Sequence, residues 1–327
     1  MSSSSLIATL NFISQQINIY VGICLFIGGV IGGLLTTIVF LSLRTFRNNP
    51  CAFFLNVMSF VNIGQLFTGL LSRIASNASG IDWTQLSLFY CKFRMYLLVV
   101  CTNISMLCMC LATIDQYLAT CHHPRWQRWS NLKSACYLSA ASIIFSILTA
   151  IPCFIYNTHS VVPVTGKIMC TATDTFFIQL NIYFYRLTIS NILPLFITLV
   201  FGLLTYRNVK DIAYRTVPLV RRELDKQLTV MILVQDFFTF VTLLPIMTFG
   251  FLSLNPHINR DPLANAEFQL ANVIAVMFYY LYFTGPFYIY MCVSERFRHQ
   301  LKYVLLDIHL YRWRRIKINV NQVIPQI

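Results

Sequence analysis

Seven stretches of this chain are long and apolar enough to cross a lipid bilayer, and that repetition limits the fold more than any other feature. A spanning helix needs about 20 mostly apolar residues. Such runs lie near 17–43, 51–73, 93–120, 134–156, 176–206, 228–253 and 268–293. In hydrocarbon the backbone has no water to bond, so a crossing segment is a helix or a strand of a closed barrel. Runs of this length favour helices. The expected fold class is an all-α membrane protein, a seven-transmembrane helix bundle with a short amphipathic eighth helix. Charged residues are 11% of the total, less than half of the roughly 25% in soluble domains. Pro152, Pro194, Pro245 and Pro286 interrupt the runs. Each would cost about 3 kcal/mol inside a soluble helix, but neighbouring groups in a membrane bundle take up the freed carbonyls. Gly28, Gly29, Gly32 and Gly33 recur every four residues and give the first helix a small-residue face for close packing.

The basic residues orient the bundle. Of the 24 Lys and Arg residues, 18 fall in the loops near 44–50, 121–133 and 207–227 and in the tail, which seven crossings place on one side. By the positive-inside rule that side is the cytoplasm. The N-terminus is then expected outside, in a multi-pass protein of the plasma membrane. The net charge of +13 does not point to nucleic acid, because the charges sit in short loops between apolar runs. The first sixteen residues carry no Lys or Arg and no cleavage site follows, so the first run is expected to stay as an anchor. Residues 1–16 are read as an extracellular N-terminus, 17–306 as the seven-transmembrane domain and 307–327 as a basic cytoplasmic tail. Within the domain, 294–306 reads as amphipathic: Phe297, Leu301, Val304 and Leu305 share one face, as in a helix lying on the membrane surface. Arg312, Trp313, Arg314 and Arg315 beyond it favour anionic inner-leaflet lipid, so membrane lipids are expected partners.

Most of the eleven cysteines lie inside apolar runs, where a cysteine behaves as a small hydrophobe. Cys108 and Cys110 form C-x-C, not the C-x-x-C of metal or redox motifs, and no metal or cofactor is expected. Cys91, at the start of the third run, and Cys170, after the fourth, are the clearest outward-facing pair. An oxidising exterior would let them join, with Cys153 as competitor. Asn77-Ala78-Ser79 is a glycosylation sequon in an expected outer loop.

In order and spacing these landmarks resemble the rhodopsin-like G-protein-coupled receptors, and the resemblance covers nearly the whole chain. It rests on Cys91 with Cys170, on Asp115-Gln116-Tyr117 twenty-four residues after Cys91, on Pro152, Pro194 and Pro245, and on Gly285-Pro286-Phe287-Tyr288-Ile289-Tyr290 before a short amphipathic helix. The divergent motifs and short loops look like the expanded orphan receptors of some invertebrates. The resemblance implies a receptor that takes a ligand outside and opens a cytoplasmic crevice to a heterotrimeric G protein, a two-state equilibrium biased by ligand. Asp115, Gln116, Tyr117, Asp225, Pro245, Pro286 and Tyr290 fall at the family's switch and coupling positions.

Several of these positions depart from the family pattern. Gln116 replaces the arginine of the helix-three motif, so the usual ionic lock cannot form. Asp225, twenty residues before Pro245, stands where the lock's acid stands, and at best hydrogen-bonds Gln116. A weakly latched off state is the expected consequence. Asn62 replaces the aspartate that helps hold sodium, and Leu243 replaces the tryptophan two residues before Pro245.

The same comparison bounds the ligand. Leu98 stands where aminergic receptors carry an aspartate, which disfavours a protonated amine, and Tyr279 stands where opsins carry the retinal lysine. Arg94 and Arg186 are the candidate polar groups, unless they snorkel to the headgroups. With both inward they favour an anionic group, on a peptide or a small molecule. Tyr183, Met247 and Tyr279 are the candidate apolar lining. The competing class is a seven-helix transporter or channel, but the two related halves that transporters show are not detectable. No His, Asp and Glu cluster on the runs suggests an enzyme.

Overall fold

The computed structural model describes residues 3–42, 44–121, 123–161, 168–212, 219–252 and 262–307. Seven helices are long and apolar enough to cross a membrane. They are α1 (Ser3–Ser42), α2 (Pro50–Ser79), α3 (Leu88–Thr120), α4 (Leu132–Tyr156), α5 (Thr175–Lys210), α6 (Leu219–Leu252) and α7 (Pro262–Thr284), which continues past Gly285 as Pro286–Val293. The short α8 (Glu295–Lys302) follows. Helix α1 already begins at Ser3, so most of the segment read as an outer N-terminus forms about four turns of helix continuous with the span.

Caps set several starts. Asn49 accepts from the Ala52 amide ahead of Pro50, Ser87 accepts from Tyr90 before α3, and Asn131 accepts from Ser134 before α4. Helix α3 packs against α2, α4, α5 and α6 and is the buried spine of the bundle. The large apolar side chains of α1, α4 and α5 are widely exposed, Phe196 at 63% and Ile144 at 59% among them. That is where a bundle in lipid keeps its hydrophobes. The glycines of α1 allow close approach on two sides. A Cβ at Gly33 would lie 2.8 Å from Ile63 Cγ1 of α2, and one at Gly32 would lie 2.9 Å from Phe287 Cβ beyond α7.

Two features were not legible in the periodicity. Asn157–Val161 (β1) and Ile168–Ala172 (β2) form an antiparallel hairpin at the end of α4, with His159 opposite Cys170. Two spans also contain π-helical segments, Leu66–Leu71 in α2 and Asn181–Ile192 in α5. The Cys91–Cys170 disulfide joins the start of α3 to β2, with Cα atoms 5.7 Å apart. His159 Nε2 bonds the Thr84 carbonyl at 2.7 Å, pinning the hairpin a second time. Cys153, the competing partner, is a buried free thiol.

At the opposite end Ser294 caps α8, and Arg298 donates to the carbonyls of Met291 and Cys292 at the end of the α7 continuation. Phe297 packs on Phe40, Phe287 and Tyr290. Phe297, Leu301 and Val304 are buried as their shared face requires, whereas Leu305 is 44% exposed. The π-helical turn Tyr303–Asp307 changes the residues per turn and takes Leu305 off that face. The tail from 308 lies outside the described residues.

The disulfide closes a loop of 79 residues, worth about 4 kcal/mol in the chain-entropy model. Replacing Cys91 and Cys170 together by serine should lower the melting temperature of the purified protein. Reductant should lower the parent equally and leave the variant unchanged. A further fall in the variant would mean that another pair of cysteines carries the bridge.

Candidate functional site

Near the hairpin end, α2 to α7 all line a partly open cavity of about 330 Å³, at the small end of the roughly 300–1,000 Å³ of ligand pockets. Its wall is chemically divided. Arg73 of α2 and Arg94 of α3 stand towards the hairpin, while Gln65 of α2 and Thr102 of α3 stand deeper. Each deep residue is eight positions from its arginine, on the order of 10 Å along a helix. Leu98, Ile246, Met247 and Val276 supply apolar surface between them.

The arginines are held by neutral groups. Arg94 Nε donates to the Thr68 carbonyl at 3.1 Å, and a terminal nitrogen donates to Gly69 at 3.4 Å. Both carbonyls belong to the π-helical turn of α2, whose altered bonding pattern presents them to a neighbour. Arg73 Nε donates to Asn18 Oδ1 of α1 at 2.7 Å. No Asp or Glu is among the lining residues.

Of the expected ligand contacts, Arg94, Leu98, Met247 and Tyr279 line this cavity. Tyr183 is 52% exposed on the π-helical part of α5 and does not line it. The Arg186 side chain lies outside the described residues. Sequence reasoning missed Arg73 and Gln65. Both lie on α2. The eight-residue spacing of a polar and a basic residue on one helix was the available signal. Asn77 lies in the last helical turn of α2, with Nδ2 donating to the Arg73 carbonyl at 2.8 Å.

Below the cavity the helices are tied by oriented hydrogen bonds. Thr102 Oγ1 donates its one proton to the Leu98 carbonyl, so Tyr279 donates to Thr102, and Gln65 Nε2 in turn donates to Tyr279 at 3.1 Å. One step further in, Ser105 donates to Asn62 Oδ1 at 2.6 Å, so Tyr282 donates to Ser105. Asn62 thus ties α2 to α3 without a charge, and Ser105 carries the tie on to α7.

The end near α8 holds the expected switch residues. Asp115 and Gln116 are buried at 6% and 1%. Gln116 Oε1 accepts from Thr229 Oγ1 of α6 at 2.9 Å. The side chain of Asp225, the partner expected from sequence, lies outside the described residues, and Thr229 is one turn further along α6. Tyr117 meets Phe201 of α5 edge-on, with centroids 5.4 Å apart. Pro245 lies within α6, and Pro286 opens the second part of α7 after Gly285. Tyr290 donates to Gln235 Oε1 of α6, both fully buried. Among the described residues no cluster of His, Cys, Asp and Glu is placed to hold a metal ion.

A bundle of seven apolar helices with a disulfide-bridged hairpin and a cavity at one end defines a multi-pass seven-helix receptor. The family model of the seven-transmembrane receptors (rhodopsin family) matches residues 32–295, and the chain belongs to that family, whose members are receptors rather than enzymes. No curated protein matches the chain.

Tyr290→Phe removes a donor and leaves the Gln235 oxygen buried without it, which costs about 1–3 kcal/mol. Thermal unfolding in detergent should show the loss. No change in melting temperature would mean that this tie does not hold α6 to α7.

Proposed function

We propose that the protein sits in the plasma membrane with its N-terminus outside, takes a small extracellular ligand in the cavity, and passes the signal to a heterotrimeric G protein inside. The observation that carries this reading is the pairing of a ligand-sized cavity at one end with a neutral α3–α6 latch at the other. A ligand that fits one arrangement of α6 better than another shifts the population of the latch. The basic loops support the orientation. A protonated amine is disfavoured because Leu98 and the rest of the lining offer no carboxylate.

Among the described residues the latch is a neutral hydrogen bond, Thr229 to Gln116, where the family commonly has an ion pair. Such a bond contributes about 1 kcal/mol, roughly fivefold in the ratio of closed to open. The resting receptor is therefore leaky. Gln116→Arg restores a cation able to engage acids such as Asp225, which latches the off state more firmly.

Expression in cells that report each G-protein class separately tests both steps. Thr229→Val should raise basal output a few-fold, and Gln116→Arg should lower it. Basal output unchanged in both variants would sink the latch. Absence of output from any G-protein class, with the receptor at the surface, would sink the coupling.

A further inference from the structure

We propose that the cavity is a site for a small organic carboxylate that carries a hydrogen-bond donor at its far end. The acid lies on Arg73 and Arg94, and the donor lies on Gln65. The proposal rests on the receptor reading above only for the ligand's entry from outside.

Charge makes the first half of the case. Arg73 and Arg94 line one cavity, beside Tyr280. Arg73 spends one of its five donors on Asn18, and Arg94 spends two on the carbonyls of α2. The lining holds no carboxylate among the described residues. Like charges in a poorly solvated cleft repel, and a shared oxyanion relieves both. Guanidinium groups match a carboxylate in a two-pronged geometry that a spherical ion lacks.

Hydrogen-bond accounting makes the second half independently. Gln65 is fully buried in the cavity floor. Its Nε2 is committed to Tyr279, yet its Oε1 has no partner among the described residues. A buried acceptor left open calls for a donor, and a hydroxyl or amide N–H of the ligand supplies one. The two anchors are on the order of 10 Å apart along α2. Leu98, Met247 and Val276 offer the linking body an apolar wall, and Asn181, Ser190 and Asn191 of α5 a polar one. The arrangement therefore selects a carboxylate joined by a short linker to a terminal hydroxyl or amide.

Thermal unfolding of the purified full chain in discs of neutral phosphatidylcholine tests this, because ligand binding to the folded state raises the melting temperature in a saturable way. The probes are 3-(4-hydroxyphenyl)propionate and 8-hydroxyoctanoate, their deoxy acids, their primary amides, tyramine and sodium chloride. The hydroxy acids should stabilise saturably at millimolar concentration, the deoxy acids should bind about tenfold more weakly, and the amides and tyramine should do nothing. Arg73→Gln should weaken the acids about tenfold, and Arg73→Lys should keep part of the affinity. Leu98 reaches Gly69, whose carbonyl holds Arg94, so Leu98→Asp supplies a counter-charge from within and should abolish the response to acids. The idea is overturned if no acid stabilises the protein, if amides match acids, if Leu98→Asp responds like the parent, or if chloride alone gives the full shift. Equal binding of hydroxy and deoxy acids would overturn the role of Gln65. G-protein output is read separately, so acids that bind without changing it support the site and contradict only the signalling reading.

Discussion

In hydrocarbon a polar group that finds no partner within the protein finds none at all, and that constraint shapes every contact between these helices. The polar residues of α2, α3, α6 and α7 face one another in successive layers. Gln65, Tyr279 and Thr102 form one, Asn62, Ser105 and Tyr282 the next, and Gln235 with Tyr290 a third. The apolar residues turn outward, and the glycines of α1 let that helix lie against both α2 and the end of α7. Helix α3 belongs to the first two layers and to the latch, which is why it forms the spine.

These ties are amides and hydroxyls where a family member often relies on charge. Asn62 and Gln116 each replace a charged residue of the family pattern, and each is buried within a neutral hydrogen-bond pair. Neutral pairs avoid the desolvation cost that buried ions carry, and they are also weaker. The same chain keeps two guanidinium groups facing the cavity. Position 116 thus carries no charge, while two guanidinium groups line the cavity.

The crossings were legible because about 20 apolar residues leave few alternatives, and the bridge because Cys91 and Cys170 were the cysteines at the outer ends. Arg94, Leu98, Met247 and Tyr279 line the cavity; Leu98 and Tyr279 stand at positions the family resemblance pointed to, and Arg94 stood out as a charge in an apolar run. The π-helical turns were not, since α and π helices share a hydrophobic pattern over one turn, and they change which side chains reach the cavity. Leu305 left its expected face for that reason. Tyr183 lies in a π-helical stretch of α5 and is exposed. The hairpin escaped notice because Asn157–Val161 is mostly polar and lacks the apolar alternation that marks a strand. Arg73 and Gln65 emerged only when the cavity joined residues that the chain keeps on separate helices.

The central claim is that the chain crosses the membrane seven times with the hairpin and cavity outside. Epitope tags at the two termini of the intact receptor test it most directly. The account predicts that antibody reaches the N-terminal tag on living cells and the C-terminal tag only after permeabilisation. Labelling of both tags from the same face of intact cells would contradict it, and the cavity would then no longer open to an extracellular ligand.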